Sequence, residues 1–255
     1  RVQPNATVIA GATAPYGDPP GVDRMMPVIF MREFLCLHGA ALSPRGCPHP
    51  AHFDAIDHHP YAATPINPAL TAGNVSVPDL GKIVRIVAAA VRSGRALPAG
   101  PKPIWVTEIA WTSNPPGPGT ISLQLQSRYV ALAAYTLWRQ GVGHMFWLVL
   151  RDPGPASRGF AGSGLFFASG RRKPSTAAFG FPFVATAARP TRTLWGIAPR
   201  AGVVSIERRY GRSWRPVAAL TTSAGRVFYG RLRCKSGVQL RAKVGRLISP
   251  SWLTA

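Results

Sequence analysis

Apolar positions repeat with two different periods along roughly the first 185 residues. A short apolar run at Thr7–Ala12 predicts a strand, closed by the turn-rich stretch Ala14-Pro-Tyr-Gly-Asp-Pro-Pro-Gly. Val28, Phe30, Met31, Phe34, Leu35 and Leu37 predict a helix over Met26–His38, and Phe53–His58 reads as a second strand. Val77–Ser93 carries the clearest helical stripe, with Leu80, Ile83, Val84, Val87 and Val91 at three- and four-residue steps. Ser76 with Asp79 resembles a capping box, and Gly94 supplies the stop. Pro103–Glu108 predicts a third strand. Ile121–Gln140 predicts a long helix with Leu125, Tyr129, Leu132 and Thr136 on one face. Val142–Leu150 predicts a fourth strand, and Pro174–Gly180 a short helix.

Strand and helix in alternation predict an α/β fold with a parallel sheet and helices packed on it. The strands lie about 40–50 residues apart, which leaves long loops at their C-terminal ends, where barrel enzymes keep their chemistry. Four such units make a small open sheet or half of an eight-stranded barrel. Near Arg189 the pattern changes. Segments starting at Val203, Trp214, Val227 and Val238 alternate apolar and polar residues, punctuated by Gly211, Gly225, Gly237 and Gly245. Short strands at that spacing predict a small antiparallel β-sandwich. The boundary is expected at 187–192, giving domains 1–188 and 189–255.

Composition narrows the classes. The chain has 255 residues, 46% apolar and 15% charged, which excludes a disordered polyelectrolyte. Its 26 Gly and 26 Pro follow no three-residue period, so collagen is excluded and loops are expected. No apolar run is long enough to span a membrane as a helix. The formal charge is +21, and residues 189–255 hold 14 basic residues against one acid, Glu207. That excess raises nucleic acid as a partner. No RNA-binding or zinc-finger signature accompanies it, so a generally basic surface is the preferred reading and no specific nucleic acid is expected. Cys36 and Cys47 are eleven apart and read either as a disulfide in an exported protein or as two buried thiols. No leader is visible at Arg1, as expected if one has been removed or the chain is a fragment.

Only nine acids exist, so each is a candidate for chemistry. Glu108 closes the strand Ile104-Trp-Val-Thr-Glu, on the face of Ile104 and Val106 by period-two alternation. A carboxylate there is costly unless paired or used. It reads as a strand-end ion pair or as a catalytic group. Asp57, His58, His59 and Tyr61 close the preceding strand with groups able to hydrogen-bond a polyol. Trp111 and Trp147 near strand ends suit either core packing or stacking on sugar C–H groups. Arg151 and Asp152 read as a local ion pair or a loop clamp, the pair being preferred. His49, His52, His58, His59 and Cys47 lack the spacing of a metal site, so no metal and no cofactor is expected. There is no Gly-x-Ser-x-Gly elbow, phosphate loop or dinucleotide fingerprint. Asn5-Ala-Thr7 and Asn74-Val-Ser76 match glycosylation sequons, a pattern short enough to arise by chance.

Four segments together resemble a known group: Val8-Ile-Ala-Gly-Ala-Thr-Ala-Pro-Tyr-Gly, Asp57-His-His-Pro-Tyr61, Pro103-Ile-Trp-Val-Thr-Glu-Ile-Ala-Trp111 and Gly143-His-Met-Phe-Trp-Leu148. They resemble the last four strands of clan A glycoside hydrolases of the cellulase and xylosidase/iduronidase-like kind, over about residues 5–185. The resemblance implies a partial (β/α)8 barrel followed by a β-sandwich. It also implies a retaining hydrolase of O-glycosidic bonds, secreted or cell-surface, acting on an oligo- or polysaccharide. Glu108 would be the nucleophile, Trp147 the subsite floor, Trp111 a further wall, and His58, His59 and Tyr61 the hydroxyl contacts. The family's acid/base, a Glu after Asn, has no counterpart here. Asp18, Asp57 and Asp152 do not match its position. Retaining hydrolysis needs two carboxyl groups about 5 Å apart, so the acid/base is expected in a missing N-terminal part. An isolated half barrel would need that part or self-association to cover its edges. A carbohydrate- or polyanion-binding protein without catalysis is the alternative.

Overall fold

The computed structural model describes residues 3, 5–117, 119, 121–154, 160–188 and 190–255. Arg189, at the expected boundary, lies outside them. The chain divides into two compact units, Arg1–Ala110 with Thr136–Leu148, and Trp111–Tyr135 with Val149–Ala255.

The first unit holds a parallel sheet of β1 (Ile9–Thr13), β2 (Ala55–His58), β3 (Ile104–Val106) and β4 (Val142–Met145). The strands neighbour one another in chain order. Two helices follow the first two strands, α1 (Pro27–Phe34) and α2 (Gly81–Arg92). On α2 the buried side chains include Ile83, Ile86, Val87 and Ala90, with Leu80 just before its start. They join Ile56, Phe53, Met31 and Leu35 in a dry core. Each large apolar side chain so enclosed contributes about 1.5–3 kcal/mol. Ahead of α2 the chain makes a single 3-10 turn, Val77–Asp79, where Asp79 Oδ2 accepts from the Ser76 amide at 3.2 Å and the Ser76 hydroxyl at 2.6 Å.

The helix expected over Met26–His38 ends four residues early. Cys36 takes φ 51, outside the helical region, and is joined to Cys47 by a disulfide. Leu37–His38 then pairs with Ser43–Pro44 as a small ladder.

The second unit contains most of α3 (Leu123–Trp138), α4 (Pro174–Gly180) and two antiparallel sheets. Gln126, Val130, Ala133 and Leu137 form the buried stripe of α3, while the expected Leu125, Tyr129, Leu132 and Thr136 are only partly covered. Gln126 can lie there because its amide is satisfied. Nε2 donates to the carbonyls of Trp111 at 2.7 Å and Gly162 at 2.8 Å, and Oε1 accepts from the Ser175 hydroxyl at 3.0 Å.

One antiparallel sheet joins β5 (Phe183–Ala188), β6 (Thr191–Ile197) and β9 (Val227–Leu232) in the order β9-β6-β5. The other joins β7 (Gly202–Tyr210), β8 (Ser213–Thr222) and β10 (Gln239–Val244) in the order β8-β7-β10. Short ladders at Leu247–Ile248 and Trp252–Leu253 complete it. The antiparallel strands begin at Phe183. Strand β6 escapes an alternation test, because Arg192–Gly196 are buried without a break. Trp195, Phe183, Val204, Ile206, Phe228 and Leu240 form the core of this unit together with Ala131 and Tyr135 of α3. Among the described residues, no helix is long and apolar enough to cross a membrane.

Candidate active site

β2 runs through Asp57 and His58 into His59, Pro60 and Tyr61, and β3 runs on into Thr107 and Glu108. Parallel pairing sets Asp57 opposite Trp105, which brings the ends of both strands together. Asp57 is 3% exposed. Its Oδ1 accepts from the Thr107 amide at 3.0 Å, and its Oδ2 accepts a very short hydrogen bond from the Thr107 hydroxyl. His59 Nε2 lies 3.2 Å from the same Oδ2 and 3.0 Å from Thr107 Oγ1. Nδ1 of that ring lies 3.4 Å from Glu108 Oε2, within ion-pair range. Tyr61 donates its hydroxyl to Oε2 at 3.1 Å. Burial, and next the hydrogen bond to Glu108, push the Tyr61 phenol well above its ordinary range, so it remains a donor.

The Glu108 side chain is 39% exposed. Strict alternation would have placed it beside the buried Ile104 and Val106. The strand stops at Val106, and beyond it the chain buries Ile109 and Ala110 instead. Among the described residues Oε1 of Glu108 makes no hydrogen bond. The result is a carboxylate with one oxygen held by a phenol and an imidazole and the other left open.

His58 has a different task from the expected hydroxyl contact. It is fully buried, with Nδ1 2.8 Å from Thr13 Oγ1 and Nε2 2.9 Å from the Val75 carbonyl. Burial pushes its pKa down to about 4, so the ring is neutral at neutral pH. Thr13 reaches it because β1 breaks register between Ala10 and Thr13. Gly11 sits at the break with φ +108, and a Cβ there would lie 2.6 Å from the Asp57 carbonyl oxygen. Only glycine lets β1 approach β2 so closely.

Trp147 is half-buried on the run after β4, which stays tied to the end of β3 by amide bonds from Phe146 to Val106 at 2.8 Å and from Leu148 to Ile109 at 3.1 Å. Trp111, in the second unit, is 6% exposed and meets Tyr129 edge-on at 5.4 Å. Its indole is part of a packed interior, which answers the expectation of a sugar wall with core packing. Arg151 and Asp152 do not form the expected local pair. Asp152 is buried against Lys173, whose Nζ lies 2.7 Å from Oδ2 and 3.0 Å from Oδ1. A lysine 21 positions away lies beyond any local reading of the sequence. Cys47 is held in the disulfide. Among the described residues, no group of three or more His, Cys, Asp or Glu is gathered to hold a metal ion.

Sequence reasoning also passed over two features. Thr107 became visible only through the Asp57–Trp105 register, which sets the third strand's end against Asp57. Trp105, His144 and Phe146 form an aromatic row with ring centroids 4.3 Å and 5.8 Å from Trp105, and His144 and Phe146 are exposed. Register pairs Trp105 with His144, so a two-residue alternation across two strands is the signal that would have found it.

No protein-family model matches the chain, and no curated protein matches it in sequence. Similar solved structures include several glycoside hydrolases. One is a family 39 glycoside hydrolase from the gut symbiont Bacteroides cellulosilyticus WH2. It is 18% identical with a TM-score of 0.43, over 71% of this chain and 42% of that one. A calcium-binding mutant of Bacteroides uniformis beta-glucuronidase 2 is 11% identical with a TM-score of 0.33, over 80% and 26%. A Cellulomonas fimi endo-beta-1,4-mannanase double mutant is 14% identical with a TM-score of 0.25, over 80% and 48%. The chain thus spans less than half the length of each.

Proposed function

We propose that this chain carries the nucleophile of a retaining glycoside hydrolase, and that the nucleophile is Glu108. The observation that carries the reading is the asymmetry of its carboxylate, with Oε2 held by Tyr61 and His59 and Oε1 open in a half-exposed side chain. In this reading Oε1 attacks the anomeric carbon. The bond to the leaving oxygen breaks, and that oxygen takes a proton from a second carboxyl group. Water then releases the sugar from Glu108. Tyr61 and His59 orient the attacking carboxylate, and Asp57 with Thr107 fixes His59. Trp147 supplies an indole face for the sugar ring.

Parallel strands in chain order, with the carboxylate just beyond the end of the third, support a partial (β/α)8 barrel, and the antiparallel sheets from Phe183 onward support a β domain that follows it. The second carboxyl group is assigned to a segment outside these residues. Asp57 is buried and saturated, Asp18 is bonded to Arg24 at 2.8 Å, and Asp152 is bonded to Lys173. The Cys36–Cys47 disulfide supports export to the cell surface or medium. Two bare sheet edges, β1 and β4, support completion by another segment or by self-association.

A leaving group that needs no proton isolates the nucleophile from the missing acid. The chain is incubated with 2,4-dinitrophenyl 2-deoxy-2-fluoro glycosides of a panel of pyranoses, and its peptides are weighed. An adduct on Glu108, lost in Glu108→Gln, is the expected result. Glycan binding with no adduct on either protein would select the non-catalytic carbohydrate-binding reading, which the engagement of Asp18, Asp57 and Asp152 elsewhere favours.

A further inference from the structure

The outward face of the β8-β7-β10 sheet has a composition that its own fold does not explain. Paired positions share a face, so the register Glu207↔Arg241, Ser205↔Lys243 and Arg209↔Trp214 collects Arg209, Trp214, Arg241 and Lys243 around Glu207. The opposite face of the same strands holds Val204, Ile206, Leu240 and Val244 in the core. Glu207, the single acid in 189–255, is 8% exposed and accepts Arg241 Nε at 2.7 Å. Lys243 Nζ is 4.0 Å from its other oxygen. Among the described residues Arg209 bonds neutral acceptors, the Gly211 carbonyl at 2.9 Å and Gln239 Oε1 at 2.9 Å. Two cations, Arg209 and Lys243, therefore face solvent beside a carboxylate that Arg241 already occupies. The Arg241 guanidinium also lies 4.2 Å from the Trp214 ring centroid.

Gln239 carries this strip to the sheet's end, where it lines a hollow of about 420 Å³. In its wall Arg128 lies 3.9 Å over the ring of Trp252. A strip of cations leading to a hollow with another cation in its wall fits a polymer that has a carboxylate on successive rigid rings. Arginine grips carboxylates through its planar fork.

We infer that the outward face of the β8-β7-β10 sheet is a binding surface for an acidic polysaccharide of the polyuronate type. Single-stranded nucleic acid is disfavoured, because sheet readers of that kind stack successive bases on several open aromatic faces. Here one indole is present and Arg241 covers it. The Cys36–Cys47 disulfide also favours an oxidising compartment over the nucleic-acid-rich cell interior.

The test is affinity electrophoresis of the full chain through gels containing polygalacturonate, dextran or oligothymidylate. Polygalacturonate is expected to retard it, less so as salt rises, and dextran is not. Arg209→Gln alone and Arg209→Gln with Lys243→Gln, each checked for an unchanged melt, should weaken the retardation, the double on the order of tenfold. Glu108→Gln should leave it unchanged, which separates this surface from the nucleophile site. No retardation by polygalacturonate, retardation that both folded variants retain, or equal retardation by dextran or oligothymidylate overturns the proposal.

Discussion

The hydroxyl of Tyr61 donates to Oε2 of Glu108 at 3.1 Å across 47 residues of chain. It steadies the carboxylate and spreads its charge, while the ring packs as any half-buried aromatic does. Tyr61→Phe keeps the ring and removes the bond. A hydrogen bond to a charged group contributes about 1.5–3 kcal/mol. Glycosylation of Glu108 by the dinitrophenyl fluoro-glycoside should therefore slow about tenfold or more. The urea midpoint should fall by less than that figure implies, because Glu108 is half-exposed and water can replace the lost donor. A wild-type labelling rate in Tyr61→Phe would remove the phenol from the mechanism.

His58 makes stability depend on pH in a defined direction. Its folded-state pKa of about 4 lies below the ordinary 6.5, so the unfolded chain takes up the proton first. The contribution is complete above about pH 6.5 and is lost as pH falls toward about 4, by on the order of 3 kcal/mol. Urea midpoints measured from pH 7.5 to pH 4 should show that decline, and His58→Gln should flatten it. Equal slopes in the two proteins would assign the acid sensitivity elsewhere.

Lys173 and Asp152 are 2% and 4% exposed. Lys173→Met leaves a buried carboxylate unpaired and should cost about 3–5 kcal/mol. Asp152→Leu added to it should recover most of that loss, because an apolar pair needs no desolvation of charge. A double-mutant cycle by chemical denaturation reads both. Additive losses would show that the pair is not coupled.

Gly11 is the least replaceable residue of β1. An alanine there meets the Asp57 carbonyl at 2.6 Å and must hold φ +108. Gly11→Ala should lose about 1–3 kcal/mol from strain. It should also loosen the Thr13–His58 bond, so the pH dependence assigned to His58 should shrink with it. A variant as stable as the parent, with the same pH profile, would show that β1 relaxes without cost.

Short apolar runs bounded by turn residues made the four parallel strands legible in the sequence, three- and four-residue steps made the α2 stripe so, and Ser76 and Asp79 mark the approach to α2. Legibility failed wherever burial had a cause outside the segment. Gln126 replaces an apolar residue on the α3 stripe because distant carbonyls satisfy it. Strand β6 is buried without a break over Arg192–Gly196 and so carries no alternation. Helix α1 stops where Cys36 turns the chain. At the site, the positions of Glu108, His59 and Tyr61 follow from the ends of strands. Asp57 and Thr107 as a buried brace, and His58 as a structural ring, do not. Each depends on register between strands far apart in sequence, and for His58 on a one-glycine irregularity in β1.

The Asp57–His59–Glu108 cluster grows from β2 and β3, the two inner members of a four-stranded sheet. Every strand bond that fixes its frame is therefore shielded by a neighbour on each side. Fraying, which starts at the rims with β1 and β4, would reach this cluster last. A carboxylate rooted there keeps its aim while the borders of the sheet open or accept new strands.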